Sequence, residues 1–149
     1  MEKAALKEHR RHSTADKPFS YYISNIPEYF PNAPMHWHKE FELNVILEGE
    51  GDFVTGDIHF TAYKGDIVLT PPDMLHAVYQ HDDKRCVYDT LDLDGSMLGS
   101  RDNDRAADAF ITPLISGAYS IETHITPEHC YYSELLTTAE NMINAAKGD

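Results

Sequence analysis

The stretch that decides the fold is HWHKEFELNVILEG, residues 36–49. Its second half alternates apolar and polar residues, which is the two-residue period of a β-strand and not of a helix. Side chains two residues apart in a strand point to the same face. The stretch therefore predicts a long strand over residues 35–48, with His36, His38 and Glu42 on one face.

Further short strands, separated by turn signals, surround this stretch. Prolines at positions 27, 31 and 34 predict an extended connection between the first strand and the long one. The other predicted strands cover residues 18–26, a hairpin over 53–60 that turns at Thr55-Gly56-Asp57, and residues 67–70, 76–80 and 85–93. Strands of this length and spacing predict an antiparallel sandwich or barrel.

The part of the chain after residue 95 has a different character. Residues 94–108 are rich in Gly, Ser, Asp and Asn and predict an irregular stretch, and residues 110–115 predict one more strand, interrupted by Pro113. Thr126-Pro127-Glu128 then predicts the start of a helix. Apolar residues follow it at helical spacing and form a stripe expected to pack on the barrel or on a partner: Tyr131, Leu135, Ala139, Met142, Ile143 and Ala146.

The charge balance argues against a nucleic-acid-binding surface. The 149 residues include 12 Lys and Arg against 25 Asp and Glu, a formal net charge of -13, and DNA repels such a surface. The one basic cluster, residues 7–12, lies in a predicted flexible tail over residues 1–17. Neither a long apolar run nor a signal-peptide core is present, so we expect no membrane span and a cytoplasmic location.

The residue types on the long strand point to a metal site. Two imidazoles and a carboxylate on one face can hold a divalent cation, and His76, which follows a loop and begins a strand, would add a fourth ligand from the opposite side. We therefore predict a metal site of His36, His38, Glu42 and His76. This donor set leaves zinc, nickel, manganese and iron open.

Two segments resemble the motifs of the cupin superfamily. Residues 36–49 match the first motif, H-x-H-x3-E-x6-G, at every position. Residues 65–80 resemble the second, G-x5-P-x-G-x2-H-x3-N, but have Asp73 in place of Gly and Gln80 in place of Asn. The resemblance implies a mainly β fold, the double-stranded β-helix or jelly-roll barrel, over residues 18–95. Residues 96–149 would contain the irregular stretch, the further strand and a C-terminal α-helical segment that packs on the barrel or on a partner.

A narrower resemblance is to the N-terminal sensing domain of AraC-type transcription regulators. It rests on HWHKEFELNVILEGEG, on KGDIVLTPPDMLH (residues 64–76) and on FITPLISG (residues 110–117). It implies a domain that senses a small molecule, often a sugar, and forms a homodimer. DNA would be bound only by a separate C-terminal helix-turn-helix domain. We therefore expect this chain to be a fragment that ends before such a domain.

The sequence is compatible with two functions, a small-molecule sensor and an enzyme. As a sensor, the domain would have no catalytic residues, and polar and aromatic side chains would line the effector pocket. The alternative is a free-standing metal-dependent cupin enzyme, an isomerase or a dioxygenase, although no nucleophile–base pair specifies a reaction. One predicted effector contact is Glu40, whose alternative is to face solvent. The others, each with barrel packing as its alternative role, are Tyr22, Asn44, Gln80 and Tyr88, with Tyr21 as a further lining residue.

Overall fold

The structure, a computed structural model, describes residues 2–98, 105 and 107–148. Eight strands form its centre: β1 Phe19–Ile26, β2 Asn32–His36, β3 Phe41–Thr55, β4 Ile58–Tyr63, β5 Ile67–Thr70, β6 His76–Gln80, β7 Cys86–Leu93 and β8 His124–Ile125. The helices are two 3-10 turns, Lys3–Leu6 and Gly95–Leu98, a π-helical turn Ala107–Ile111, and the α-helices α1 Thr112–Ile115 and α2 Tyr132–Lys147. Residues 99–104 and 106, part of the predicted irregular stretch, lie outside the described residues.

Strand β3 is shared by two antiparallel layers. Its first half pairs with β5 and β7, to which β8 and β1 add, so that the first layer has the order β1-β7-β3-β5-β8. Its second half pairs with β4 and β6, and β2 adds to β6. The predicted mainly β, jelly-roll architecture with a C-terminal helix is thereby confirmed.

Gly49 lies where β3 passes from one layer to the other. Its φ is +74°, and a Cβ atom there would lie 1.7 Å from the carbonyl oxygen of Arg85. Only glycine accepts both the left-handed backbone and the close approach of a neighbouring backbone. The irregular register between Ile46 and Glu48, just before it, increases the local bend.

Successive side chains of β3 point to opposite faces and pack in two separate buried clusters. Phe41, Leu43 and Val45 pack with Ala139 and Ile143 of α2 on the outer face of the first layer. The residues between them point into the barrel, where a second apolar cluster contains Ile46, Phe53, Val68, Val78 and Tyr88. The apolar stripe of α2 is therefore used to cover the barrel, one of the two roles that the sequence left open.

Two predicted elements near the C-terminus are wrong. Residues 110–115 are helical and not a strand, because Pro113 is accommodated in the first turn of α1 and the exposed Phe110 has no buried sheet face to join. The predicted helix start at Thr126 is a separate turn, in which the Thr126 N–H donates to Nδ1 of His129 at 3.0 Å. The helix α2 begins at Tyr132. No helix among the described residues is long and apolar enough to cross a membrane.

The predicted tail also needs correction, because several of its residues contact the barrel. The backbone of Trp37 donates to the Leu6 carbonyl at 3.1 Å and accepts from the Glu8 N–H at 3.0 Å. His12 is only 6 % exposed and is held by carboxylates on both sides. These partners lie far away in the sequence, so the composition of residues 1–17 did not indicate them.

We predict that Gly49→Ala lowers the free energy of unfolding by about 2–5 kcal/mol, because a strained φ adds to a backbone clash. The matched control is Gly117→Ala, where φ is +75° but no described heavy atom lies within 4 Å of the added Cβ. The control should lose only about 1–2 kcal/mol. Urea unfolding measures both, and equal losses would contradict the role of the close approach.

We also predict that the two cysteines differ in reactivity. Cys86 is fully buried, and burial raises its thiol pKa to about 12, whereas Cys130 is exposed. Because the thiolate is the reacting form, a disulfide reagent should modify Cys130 in the native protein and Cys86 only after unfolding. Native Cys130→Ser protein should be inert to the reagent, and rapid labelling of it would contradict the buried position of Cys86.

Candidate metal and effector site

Four side chains from three strands and one loop converge inside one end of the barrel. His36 ends β2, His76 begins β6, and the two are register partners across that strand pair. Glu42 is the second residue of β3, while His38 lies in the connection between β2 and β3. One ligand atom from each lies within 4.8 Å of the others.

The spacing of these atoms matches ligands of a single ion. Oε2 of Glu42 lies 3.4 Å from Nε2 of His38 and 3.4 Å from Nε2 of His76. Two ligands about 2.1 Å from one metal are roughly 3.0–3.4 Å apart at octahedral or tetrahedral angles. Nε2 of His76 is buried and has no hydrogen-bond partner among the described residues. Such a buried atom fits a metal ligand.

Backbone hydrogen bonds select the tautomer of two of the histidines. Nδ1 of His36 donates to the Pro34 carbonyl at 2.7 Å, and Nδ1 of His76 donates to the Met74 carbonyl at 2.8 Å. A neutral imidazole that donates from one nitrogen presents a lone pair on the other. In the neutral form of each ring, Nε2 is therefore the nitrogen available as a ligand, as is usual for metal-binding histidines.

A buried chain of hydrogen bonds orients Glu42. The amide of Asn44 donates to Oε1 of Glu42 at 2.6 Å, and the Thr90 hydroxyl donates to Oδ1 of Asn44 at 2.6 Å. Oε2 of Glu42 is thereby left to face the histidines. Asn44, predicted as an effector contact, is 1 % exposed and is not among the residues that line the cavity. It positions the carboxylate instead.

Glu40 lies on the other side of His38. It is buried, accepts a hydrogen bond from the Ser13 hydroxyl at 2.6 Å, and has Oε2 3.5 Å from Nδ1 of His38. With Ser13 and Asp94 it lines a separate surface depression. The structure therefore places this predicted effector contact behind a candidate ligand, outside the cavity that His36, Glu42 and His76 line.

The main cavity has a volume of about 440 Å³ and opens beside the four converging residues. Tyr22 and Tyr88, two predicted contacts, line it. Gln80 does not; its amide donates to the Lys84 carbonyl at 3.1 Å, at the far end of β6. Tyr21 faces away and donates to Asp89 at 2.6 Å. Apolar side chains complete the wall, among them Ile23, Phe30, Ala33 and Val78.

Three residues of the site were missed from the sequence. Asp92 lines the cavity at 1 % exposure, and its Oδ2 lies 2.8 Å from Nδ1 of His12. Nε2 of His12 lies 2.8 Å from Oε2 of Glu8. Asp92 was detectable, because it has the same strand parity as Tyr88, a predicted lining residue. No signal in the sequence placed Glu8 or His12 here.

Burial and neighbouring charges set the protonation states. Burial lowers the pKa of His36, and the nearby His76 lowers it further. Burial opposes ionisation of Glu42, but His76 and His38 outweigh it and hold the pKa of that carboxyl well below its usual range. His36 is therefore neutral and Glu42 ionised near neutral pH, which are the forms that bind metal. Burial also opposes the charge on His12, yet Asp92 and Glu8 raise its pKa to about 11.

Comparisons with known proteins identify the barrel. The family model for the AraC-like ligand binding domain matches residues 20–101. A curated relative, the uncharacterized HTH-type transcriptional regulator YdeC of Bacillus subtilis (strain 168), is 27 % identical over 89 residues, which are 59 % of this chain and 31 % of the relative. The chain thus spans about a third of that regulator's length.

One solved structure supports the fold, and a second has lower similarity. A cupin protein from Bacteroides fragilis is 18 % identical, with a TM-score of 0.50 and coverage of 57 % of this chain and 73 % of that one. A Cupin 2 conserved barrel domain protein from Salinispora arenicola CNS-205 is 22 % identical, with a TM-score of 0.47 and coverage of 60 % and 75 %. The resemblance expected from residues 36–51 and 64–76 is confirmed by the family match, which covers more than half of the chain. This chain belongs to the family of AraC-like ligand-binding domains.

Proposed function

We propose that this chain is the effector-sensing domain of a transcription regulator, with a small molecule bound beside a divalent metal. The observation that carries the proposal is the position of the donor set at one end of the main cavity. His36, Glu42 and His76 line that cavity, and His38 stands directly behind them. The family to which the chain belongs is itself described by ligand binding.

The metal would be held by His36, His38, Glu42 and His76. When bound, it would supply a Lewis acid that attracts an oxygen of the effector. Zinc, nickel, manganese and iron all suit imidazole and carboxylate donors. The remaining wall would hold the carbon skeleton on Ile23, Phe30 and Val78, beside the rings of Tyr22 and Tyr88. A sugar, with hydroxyl groups and a less polar ring face, meets both requirements.

Strand β7 offers a route from the cavity to the outer surface. Thr90 and Asp92 line the cavity, whereas Leu91 and Leu93 lie on the opposite face and pack in the cluster that contains α2. The last turn of α2 is also tied to β7, because Nζ of Lys147 lies 3.0 Å from Asp89. An effector that favours one arrangement of β7 would shift the position of α2.

DNA binding would belong to another part of the full-length protein. The net charge of -13 gives this chain no attraction for phosphate, and the curated relative is named as an HTH-type regulator. A homodimer stays a prediction, and it would use surfaces other than the buried face of α2. Ala139 and Ile143 are already covered by the barrel.

The intact donor set also supports the second candidate, a metal-dependent cupin enzyme. In that case, the same four residues would hold the metal and the cavity would hold a substrate. The two candidates differ in one measurable respect, since a sensor binds its small molecule unchanged and an enzyme converts it.

We predict that the purified protein binds one divalent ion per chain and that His38→Ala weakens binding at least about tenfold, because it removes a ligand. Elemental analysis and titration with Zn²⁺ measure this. The control is His59→Ala, which alters an exposed histidine on β4 and should bind like the wild type. Equal Zn²⁺ binding by both variants would contradict the site, as would a wild-type protein without metal.

We predict that at least one compound in a panel of sugars stabilises the metal-loaded wild type. Saturation at a hundredfold excess over the dissociation constant adds about 2.7 kcal/mol to the free energy of unfolding. The stabilisation should be lost in Val78→Trp, which fills the cavity while keeping all four donors. Thermal unfolding measures it, and chromatography tests whether the compound is recovered unchanged. Conversion to a product would favour the enzyme over the sensor.

A further inference from the structure

The N-terminal segment, residues 3–13, runs beside the connection that carries two of the candidate ligands. Lys7 and Trp37 form a parallel β-bridge. On either side of it, the Trp37 N–H donates to the Leu6 carbonyl and the Glu8 N–H donates to the Trp37 carbonyl. The side chains of the two bridge partners point to the same face, and their neighbours in the sequence point to the opposite face. Glu8 follows Lys7, and His36 and His38 flank Trp37. Glu8 therefore shares a face with His36 and His38.

The position of the Glu8 carboxylate agrees with this register. Its Oε2 lies 3.6 Å from Nε2 of His36, and Glu8 lines the same cavity as His36, Glu42 and His76. Nε2 is the nitrogen that His36 presents as a ligand, because its Nδ1 donates to the Pro34 carbonyl. The separation is close to the 3.4 Å between Glu42 and its neighbouring histidines.

The segment is also held at this position from within the barrel. His12 lies between Glu8 and Asp92, at 2.8 Å from each. The ring of Trp37 adds a second attachment, since its Nε1 donates to the Lys3 carbonyl at 2.7 Å. Glu8 is thus fixed between two anchor points, and its Oε2 lies between Nε2 of His12 at 2.8 Å and Nε2 of His36 at 3.6 Å.

We propose that Glu8 is a further ligand of the metal, contributed by the N-terminal segment. The inference rests on the proposed metal site of His36, His38, Glu42 and His76. Three imidazoles and two carboxylates would leave one position of an octahedral ion for an oxygen of the effector. The second carboxylate also brings the charge of the donor set to -2, which neutralises a divalent cation.

Metal binding and docking of the segment would then be linked. A metal ion that contacts Glu8 only when the segment is docked binds the docked arrangement more tightly, and it therefore stabilises that arrangement. Metal should therefore hold residues 3–13 against the barrel more firmly. Arg10 and Arg11, both exposed, lie within this segment and report on its opening as trypsin sites.

The test compares wild-type protein with Glu8→Gln, which keeps the shape and a hydrogen-bonding group but removes the charged ligand. Zn²⁺ affinity is measured by competition with a chelator. Trypsin cleavage after Arg10 and Arg11 is followed with and without Zn²⁺. The matched control is Glu2→Gln, an exposed glutamate that directly precedes the segment. We expect Glu8→Gln to bind Zn²⁺ at least about tenfold more weakly and to lose the protection that Zn²⁺ gives to the wild type and the control.

Other outcomes would overturn the assignment. Unchanged Zn²⁺ affinity and protection in Glu8→Gln, with His38→Ala still impaired, would remove Glu8 and leave the four-residue site intact. Two Zn²⁺ ions per wild-type chain, one of them lost in Glu8→Gln, would mean a separate site, since ligand atoms of Glu8, His12 and His38 also lie within 4.8 Å of one another. A wild type that binds no Zn²⁺ would overturn the proposed metal site together with the role of Glu8.

Discussion

The passage of one strand, β3, through both layers of the barrel is the constraint on which the rest of the structure depends. The change of layer occurs at Gly49, whose Cα approaches the backbone of Arg85 too closely for any side chain. Because of this change, β3 pairs with β5 and β7 on one side and with β4 and β6 on the other. The two layers therefore meet, and β6 brings His76 to the same end of the barrel as Glu42.

The interior of the barrel has an apolar part and a polar part. One end is an apolar cluster around Ile46, Phe53 and Tyr88, while the other end contains buried acids and histidines. Burial of charged groups is costly unless they are paired. Here Glu42 faces His38 and His76, at 3.4 Å from each. Such a set is poorly explained as packing and well explained as a site prepared for a ligand.

Much of the candidate site was predictable, although its residues do not all come from one strand. Sequence periodicity predicts a continuous strand over residues 35–48, whereas β2 ends at His36 and β3 begins at Phe41. The donors still converge, because His36 pairs with His76 across two strands and His38 is placed by the connection. The structure also explains why Asp73 can replace the glycine of the second cupin motif. Its φ is +62°, which aspartate tolerates better than most residues.

The sequence by itself determined the mainly β fold and the family, and it named the four residues that the structure brings together, His36, His38, Glu42 and His76. Local periodicity and motif spacing report which residues share a strand face and where turns occur. Only the tertiary structure decided the roles of the remaining polar residues. Asn44 supports Glu42, Gln80 lies at the far end of its strand, and Glu8 reaches the cavity from a segment predicted to be mobile. The physical reason is that these roles depend on contacts between residues distant in the chain, which strand periodicity does not encode.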